Sequence, residues 1–186
     1  SDALGAEVVG VDVSDDLSDE TIADIRAGWL QHSILLFRNQ EMTLVQQKAF
    51  TQRFGTLMVS PNSRTRFPEH PEVLVFSNIK VDGEYIGSPP ARTGEGWHSD
   101  FFYLKKPAGG SFFYSKEAPE KGGETWFANM TKAYEALPDD KKAILAGRKC
   151  EYSQQKTLQI LNPELPALTE KQKRDLPDIS HPMVRV

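Results

Sequence analysis

Residues 94–103 read Gly-Glu-Gly-Trp-His-Ser-Asp-Phe-Phe-Tyr, so two polar side chains stand here among glycines and aromatic residues. Side chains at positions i and i+2 of a β-strand point to the same face. An extended backbone from Trp97 to Tyr103 would therefore bring His98 and Asp100 together. An imidazole and a carboxylate are two of the three ligands in the facial triad that holds non-haem Fe(II). The stretch thus predicts a strand that carries part of a metal site.

The His-x-Asp pattern is not specific when it is taken alone. A chain with four histidines contains such a pair by chance often enough that an ordinary explanation competes with the metal site. In that explanation, His98 is half-buried on a strand and hydrogen bonds near Asp100. A zinc-type metallohydrolase using the same two residues is a further alternative. It would need a third ligand and a general base, and no HExxH or cysteine-rich motif supplies them.

Helix-start signals occur twice in the first third of the chain. Ser18 precedes Asp19 and Glu20, which suits a helix N-cap followed by acids near the positive end of the helix dipole. Thr43 and Gln46 fit a capping box, in which each side chain accepts a hydrogen bond from the other residue's backbone. Both predicted helices are amphipathic. The apolar face of the first comprises Ile22, Ile25, Trp29 and Leu30.

Short strand patterns dominate the rest of the chain. Asp82-Gly83 predicts a tight hairpin, because both turn positions require positive φ. The polar stretch 157–180 predicts an excursion or lid between two strands. Other strands are predicted at 8–13, 34–37 (buried on both faces), 73–77, 97–103, 110–115 and 124–128, and helical turns at 130–137 and 139–146. This mixture predicts an α+β, mainly β protein with a β-sandwich or jelly roll at its centre.

Composition excludes several classes of protein. The formal net charge of −4 argues against binding nucleic acid through bulk charge. The sequence has no apolar run of about 18 residues, so we expect no membrane span, and the first residues do not predict a signal peptide. The single cysteine, Cys150, cannot form an internal disulfide, which favours a reducing, cytoplasmic location. No GxGxxG, P-loop or GxSxG motif is present.

Taken together, the motifs resemble the taurine dioxygenase-like family of Fe(II)/2-oxoglutarate-dependent oxygenases. The resemblance follows the expected order over nearly the whole chain, in segments 32–40, 46–55, 94–103, 122–130, 133–138 and 181–185. It implies a double-stranded β-helix, which is a form of jelly roll, with flanking helices. It also implies one oxygenase domain over residues 1–186 that lacks the family's C-terminal part.

The resemblance implies roles for particular side chains. His98 and Asp100 would be two of three iron ligands, and Thr125 would hydrogen bond the distal carboxylate of 2-oxoglutarate. The family's third ligand, a histidine, and its 2-oxoglutarate-binding arginine would lie beyond Val186. His181 matches the family's His-Pro before a core strand, which is not the distal ligand.

Substrate contacts are expected just before the iron-binding segment. Family members place such contacts at positions that correspond to Asn78, Tyr85 and residues 88–95, although ordinary hairpin and loop residues explain the same pattern. Arg64 and Arg66 could reach an anionic substrate or could be solvated loop charges. Aromatic residues on the segment 110–115 could line the 2-oxoglutarate pocket or belong to the core: they are Phe112 and Tyr114.

The implied activity is hydroxylation of a small acidic substrate, such as a sulfonate, an aryloxy acid or a sulfate ester. Fe(II) would be the metal, 2-oxoglutarate and dioxygen would be consumed, and succinate and carbon dioxide would be released. Members of the family often self-associate, so a homo-oligomer is compatible with the resemblance. The alternative is a non-catalytic jelly-roll binding module that has lost the iron centre, and the missing third ligand is the feature that favours it.

Overall fold

The computed structural model describes residues 2–60, 66–67, 69–87, 96–161 and 167–185. These residues form two compact units. The first comprises Ser1–Thr93 and Phe112–Glu135, and the second Gly94–Ser111 and Ala136–Val186, as far as each is described. Helices and short strands alternate along both units, which agrees with the α+β prediction. None of the helices in the described ranges has the length and apolar character that a membrane crossing needs.

The first unit begins with a strand, a helix, a strand and a helix: β1 (Ala6–Val8), α1 (Asp19–His32), β2 (Leu35–Phe37) and α2 (Leu44–Gln52). Both predicted N-caps are confirmed. The Ser18 side chain accepts a hydrogen bond from the backbone N–H of Thr21, and Thr43 and Gln46 form the complete capping box. Strands β1 and β2 pair in parallel.

Two burial predictions in this part of the chain were wrong. Leu36 on β2 is 44% exposed, because the strand turns only one face towards the core while its described neighbour, β1, lies beside it. Leu30 is 76% exposed at the end of α1, because the buried stripe of that helix is formed by Ile22 and Ile25. The apolar residues therefore predicted the two elements correctly, but fewer of their side chains are buried than the pattern predicted.

The core of the first unit lies between α1, α2 and the segment that follows β1. Its buried residues are Val13, Ile22, Ile25, Met42 and Phe50. Phe112 and Tyr114 pack against this cluster, so these aromatic side chains belong to the core, as the simpler of the two interpretations predicted. The Tyr114 hydroxyl also donates a 3.0 Å hydrogen bond to the backbone carbonyl of Gln40.

The remainder of the first unit contains two antiparallel strand pairs and one short helix. The elements are β3 (Arg66–Phe67), β4 (His70–Leu74), β5 (Lys80–Val81), β6 (Glu84–Tyr85) and α3 (Met130–Glu135). The predicted hairpin is confirmed, since β5 and β6 are joined by Asp82 and Gly83 with φ values of 52° and 84°.

The second unit contains α4 (Asp139–Leu145), β7 (Lys149–Tyr152), α5 (Gln154–Leu161), α6 (Glu170–Asp175) and β8 (Ile179–Pro182). Strands β7 and β8 pair antiparallel, with Cys150 opposite His181, and the described residues between them include α5 and α6. The excursion or lid at 157–180 stays a prediction. Helix α5 was not predicted. Helix α6 begins at a capping box formed by Thr169 and Gln172.

The strand predicted at 8–13 is observed at 6–8, as β1, and three other predicted strands are not observed. Residues 97–103 turn back on themselves, because Phe101 has a φ of 56° and its carbonyl accepts a hydrogen bond from the backbone N–H of Leu104. Residues 110–115 alternate as a strand would, but they make no described ladder, and residues 124–128 are exposed throughout. The described strands pair only two by two, and helices account for more of the described residues than strands do. The mainly β character is therefore not observed in the described ranges.

Candidate functional site

His98 and Asp100 lie together in the second unit. The Nε2 atom of His98 is 3.5 Å from Oδ1 of Asp100, and their side chains are 58% and 55% exposed. The two side chains converge as their spacing predicts, although the backbone that carries them is irregular and enters a turn at Asp100. The pair is therefore accessible from solvent and held by local backbone geometry.

A hydrogen bond to the backbone orients the His98 ring. Its Nδ1 atom lies 3.0 Å from the carbonyl oxygen of Gly96. Because a carbonyl can only accept, Nδ1 carries the proton in this contact, and in the neutral ring Nε2 then presents its lone pair. Metal-binding histidines are oriented in this way, with one ring nitrogen bound to a carbonyl and the other facing the metal.

The carboxylate of Asp100 is oriented by Ser111. The Ser111 hydroxyl donates a 3.0 Å hydrogen bond to Oδ2, which leaves Oδ1 facing His98. This contact could not be predicted from the sequence, because a serine within an aromatic segment is explained equally well by solvent exposure. Ser111 is therefore a contact of the predicted ligand Asp100 that only the three-dimensional structure shows.

The arrangement fits a divalent cation held by an imidazole nitrogen and a carboxylate oxygen. Ligand atoms that each lie about 2.1 Å from one cation can be at most about 4.2 Å apart. The Nε2 to Oδ1 distance of 3.5 Å is within that limit. A metal ion, or a proton on Nε2, would satisfy both of these facing acceptor atoms. Within the described ranges, no group of three or more His, Cys, Asp or Glu side chains could hold a metal.

The turn after Asp100 is packed against β7 and β8. Phe102 contacts the rings of Tyr152 and His181, with centroids 5.4 and 5.6 Å away. The Nε2 atom of His181 lies 3.1 Å from the carbonyl oxygen of Leu104. Burial raises the pKa of the Tyr103 phenol, and the negative charge of Asp100 raises it further, so Tyr103 stays protonated beside the pair.

Thr125, the predicted 2-oxoglutarate contact, belongs to the first unit. It is exposed in the irregular segment 123–129, which follows Gly122 and Gly123 with φ values of 81° and 75°. Thr125 and the His98–Asp100 pair belong to different units. Its role as a 2-oxoglutarate contact stays a prediction.

The predicted substrate contacts also lie in the first unit. Asn78 is exposed between β4 and β5. Tyr85 on β6 is 46% exposed, and Lys80 Nζ lies 4.5 Å from the centre of its ring. Arg66 lies on β3, where its Nε donates a 2.6 Å hydrogen bond to the Ser60 carbonyl. Arg64 and residues 88–95 lie outside the described residues.

Comparison with protein families finds one model along the whole chain. The model of the taurine catabolism dioxygenase TauD, TfdA family matches residues 1–186.

Individual relatives agree with this match. The chain is 34% identical over 164 residues to an (S)-phenoxypropionate/alpha-ketoglutarate-dioxygenase of Sphingobium herbicidovorans, covering 82% of this chain and 53% of that protein. It is 29% identical over 191 residues to the alpha-ketoglutarate-dependent 2,4-dichlorophenoxyacetate dioxygenase of Cupriavidus pinatubonensis, covering 98% of this chain and 66% of that protein. The chain thus spans about half to two-thirds of the length of these curated relatives.

A solved structure has a fold similar to that of this chain. It is that of a candidate alpha-ketoglutarate dependent 2,4-D dioxygenase from Burkholderia xenovorans, with a TM-score of 0.73 and 27% sequence identity. The similarity covers 98% of this chain and 61% of the other.

Proposed function

The chain belongs to the taurine catabolism dioxygenase TauD, TfdA family, and on this basis we propose that it is part of a non-haem Fe(II)- and 2-oxoglutarate-dependent dioxygenase. The reaction we propose hydroxylates a small organic acid and releases succinate and carbon dioxide. Names of two relatives support both halves of this proposal, since each includes alpha-ketoglutarate and an aryloxy acid. Sulfonates and sulfate esters are the other acids that the proposal admits.

The proposed fold is a double-stranded β-helix with flanking helices, built as a single domain that includes residues 1–186. The similarity to the Burkholderia xenovorans structure supports it, because that similarity covers 98% of the chain. In this proposal, the two-stranded ladders described here are parts of larger sheets, and the excursion at 157–180 acts as a lid.

The observation that carries the function is the convergence of His98 and Asp100, with Nε2 and Oδ1 3.5 Å apart. In the proposed enzyme, these atoms bind Fe(II), while the Gly96 carbonyl and the Ser111 hydroxyl hold the two side chains in place. The iron, when bound, supplies the activation of dioxygen and the oxidative decarboxylation of 2-oxoglutarate. The third ligand is proposed to be a histidine that lies beyond Val186.

Two acidic groups must be recognised beside the metal: the distal carboxylate of 2-oxoglutarate and the acidic group of the substrate. We assign Thr125 to the distal carboxylate of 2-oxoglutarate, where its hydroxyl would donate a hydrogen bond. A hydroxyl orients a carboxylate but does not neutralise it, so an arginine beyond Val186 is proposed to complete this contact. Asn78 and Tyr85 are assigned to the substrate, and the ammonium group of Lys80 above the Tyr85 ring supplies positive charge that suits an acid.

Turnover by the complete gene product, including any residues encoded beyond Val186, tests the proposal. The purified protein is supplied with Fe(II), ascorbate and 2-oxoglutarate, and succinate release is measured with a panel of aryloxy acids, sulfonates and sulfate esters. We expect substrate-dependent succinate, and its loss in His98→Ala and Asp100→Ala. His32→Ala and Asp24→Ala are matched controls on α1 that should keep the activity, since neither residue is among those assigned to the metal, 2-oxoglutarate or the substrate.

The alternatives give different results in the same experiment. A binding module produces no succinate with any acid, although it still binds a small molecule. A zinc-type hydrolase retains tightly bound zinc and shows no spectral change when 2-oxoglutarate is added to the Fe(II) protein without oxygen. Full activity in either His98→Ala or Asp100→Ala would show that the ligand assignment is wrong.

A further inference from the structure

We propose that His181 is a positioning residue for Asp100, acting through a hydrogen bond that holds the turn from Asp100 to Leu104. The inference rests on the proposed function, because Asp100 matters here as a metal ligand. The resemblance to known oxygenases assigned His181 no role beyond a place before a core strand. Its contacts in the second unit indicate a more direct connection to the predicted metal site.

The imidazole of His181 is buried and donates a hydrogen bond to the turn. The residue is 7% exposed, and its Nε2 atom lies 3.1 Å from the backbone carbonyl oxygen of Leu104. A carbonyl oxygen only accepts, so Nε2 carries the proton. A buried hydrogen bond of this kind is costly to lose, because the carbonyl would be left without a partner away from water.

The turn that receives this hydrogen bond is strained. Phe101 follows Asp100 directly and has a φ of 56°, in the left-handed region that bulky side chains rarely adopt. The backbone N–H of Leu104 donates a 2.9 Å hydrogen bond to the Phe101 carbonyl and closes the turn. Strained residues persist only where their surroundings hold them in place, and such residues are concentrated at functional sites. Phe101 is held by the contacts of Phe102 and Leu104, which follow it in the turn.

Three rings in mutual contact anchor the turn. Phe102, Tyr152 and His181 have centroid separations of 5.4 to 5.6 Å, and the guanidinium of Arg185 lies 5.2 Å from the centre of the Phe102 ring. Tyr152 and His181 lie on the strands β7 and β8, which form a regular antiparallel pair over four residues each. The strand pair therefore holds Phe102 by packing and Leu104 by a hydrogen bond.

The direction of the Asp100 side chain depends on this anchoring. If the Leu104 carbonyl loses its donor, Phe101 can relax to an ordinary backbone conformation, and the preceding residue then changes orientation. The Oδ1 atom would leave its place opposite His98 Nε2. Metal affinity should fall, as it does when an outer partner of a ligand is removed, typically by about tenfold or more.

Mn(II) binding to the complete gene product separates this role from simple structural support. Free Mn(II) is measured by its electron paramagnetic resonance signal as the ion alone is titrated into protein stripped of metal. His181→Phe keeps an aromatic ring but removes the donor, and His181→Gln restores a side-chain N–H at a similar reach. We expect about tenfold weaker binding in His181→Phe and near-normal binding in His181→Gln. Tyr152→Phe, which keeps its ring, is the matched control and should bind normally.

A double variant tests the role of strain. Glycine adopts positive φ at no steric cost, so a turn with glycine at position 101 needs less anchoring. Adding Phe101→Gly to His181→Phe should therefore recover most of the lost Mn(II) affinity. If His181→Phe is not folded, as judged by circular dichroism, Phe102→Leu loosens the same anchor and is expected to weaken Mn(II) binding in the same direction.

The outcomes distinguish this proposal from the proposed function. Normal Mn(II) affinity in folded His181→Phe, or in Phe102→Leu where His181→Phe is not folded, contradicts the positioning role. Equal losses in His181→Phe and His181→Gln contradict it as well, because they would assign the effect to packing and not to the hydrogen bond. If Asp100→Ala binds Mn(II) normally in the same titration, the metal role of Asp100 is wrong. If Asp100→Ala loses binding while folded His181→Phe keeps it, the proposed function stands and only the positioning role fails.

Discussion

The hydroxyl of Ser111 donates a 3.0 Å hydrogen bond to Oδ2 of Asp100 and so leaves Oδ1 of that carboxylate facing the imidazole of His98. A carboxylate with one oxygen already bound has fewer orientations available than a free one. The arrangement therefore fixes the direction of Asp100 before any metal arrives. It also makes Ser111 the most direct test of whether the pair is organised for metal binding.

Replacing Ser111 by alanine should weaken metal binding without unfolding the protein. The variant removes the hydroxyl that restrains Asp100, so we expect Mn(II) affinity to fall by about tenfold. Ser111→Thr keeps the hydroxyl and should bind nearly as the wild type does. Ser115→Ala is a control in the other unit, where its exposed hydroxyl contacts only the Glu117 carbonyl among the described hydrogen bonds. Unchanged affinity in Ser111→Ala would mean that the hydrogen bond does not restrain the carboxylate.

The ion pair between Lys48 on α2 and Glu72 on β4 predicts a pH-dependent stability. The hydrogen bond from Lys48 holds the pKa of the Glu72 carboxyl below its ordinary value of 4.5. Because the folded-state pKa is lowered, the stabilisation is fully present above about pH 4.5 and is lost as the pH falls through the folded-state value.

Urea unfolding of wild type and Glu72→Gln measures this effect. We expect the wild type to have the higher urea midpoint at about pH 7, and the difference to shrink when both proteins are measured at about pH 4. Glu120→Gln, at an exposed loop position, is the control and should show no such trend. A difference that grows on acidification has the wrong sign for a lowered pKa and would contradict the assignment.

The sequence predicted correctly the helix starts and the turn that depend only on interactions between residues close together in the chain. The N-cap at Ser18, the capping box of Thr43 and the Asp82-Gly83 turn each depend on groups within three or four residues, and all three are present. The same kind of signal precedes α5, where the Ser153 hydroxyl accepts a hydrogen bond from the Lys156 backbone. Helix α5 was not predicted, because it runs into a polar stretch that contains Pro163, Pro166 and Pro177 and therefore favours irregular structure.

Of the candidate site, only the proximity of His98 and Asp100 could be predicted, from their spacing in the sequence. The i, i+2 relationship brought His98 and Asp100 together, but the strand on which that inference depended is absent, since the left-handed Phe101 ends the extended stretch. Glycine, asparagine and aspartate are the residue types that favour a positive φ, and Phe101 is none of these, so this turn had no sequence signature. Ser111 contacts Asp100 from 11 residues away, and His181 contacts Leu104 from 77 residues away. Such contacts depend on packing and cannot be inferred from local sequence.

Phe50 should be far more important for stability than Phe113. Phe50 is 6% exposed and lies within 5.1 to 5.9 Å of the rings of three other phenylalanines, whereas Phe113 is 71% exposed. Phe50→Ala leaves a cavity in the core and should cost about 3–5 kcal/mol of unfolding free energy. Phe113→Ala loses only a surface ring contact and should cost at most about 1 kcal/mol. Similar costs in urea titrations of the two variants would show that the core is placed wrongly.

Alanine substitutions at two glycines of the first unit distinguish the cost of backbone strain from the cost of steric overlap. Gly83 and Gly87 have nearly equal φ values of 84° and 77°, so alanine at either position pays for a left-handed backbone, roughly 1–2 kcal/mol. Nothing lies within 4 Å of a Cβ atom added at Gly83, but one added at Gly87 would overlap the Val75 carbonyl oxygen and lie 2.7 Å from the Val75 Cβ. Gly87→Ala must therefore move the backbone as well, and it should cost about 1–3 kcal/mol more than Gly83→Ala. Urea unfolding of both variants measures the difference, and equal losses would mean that residue 87 does not approach Val75 so closely.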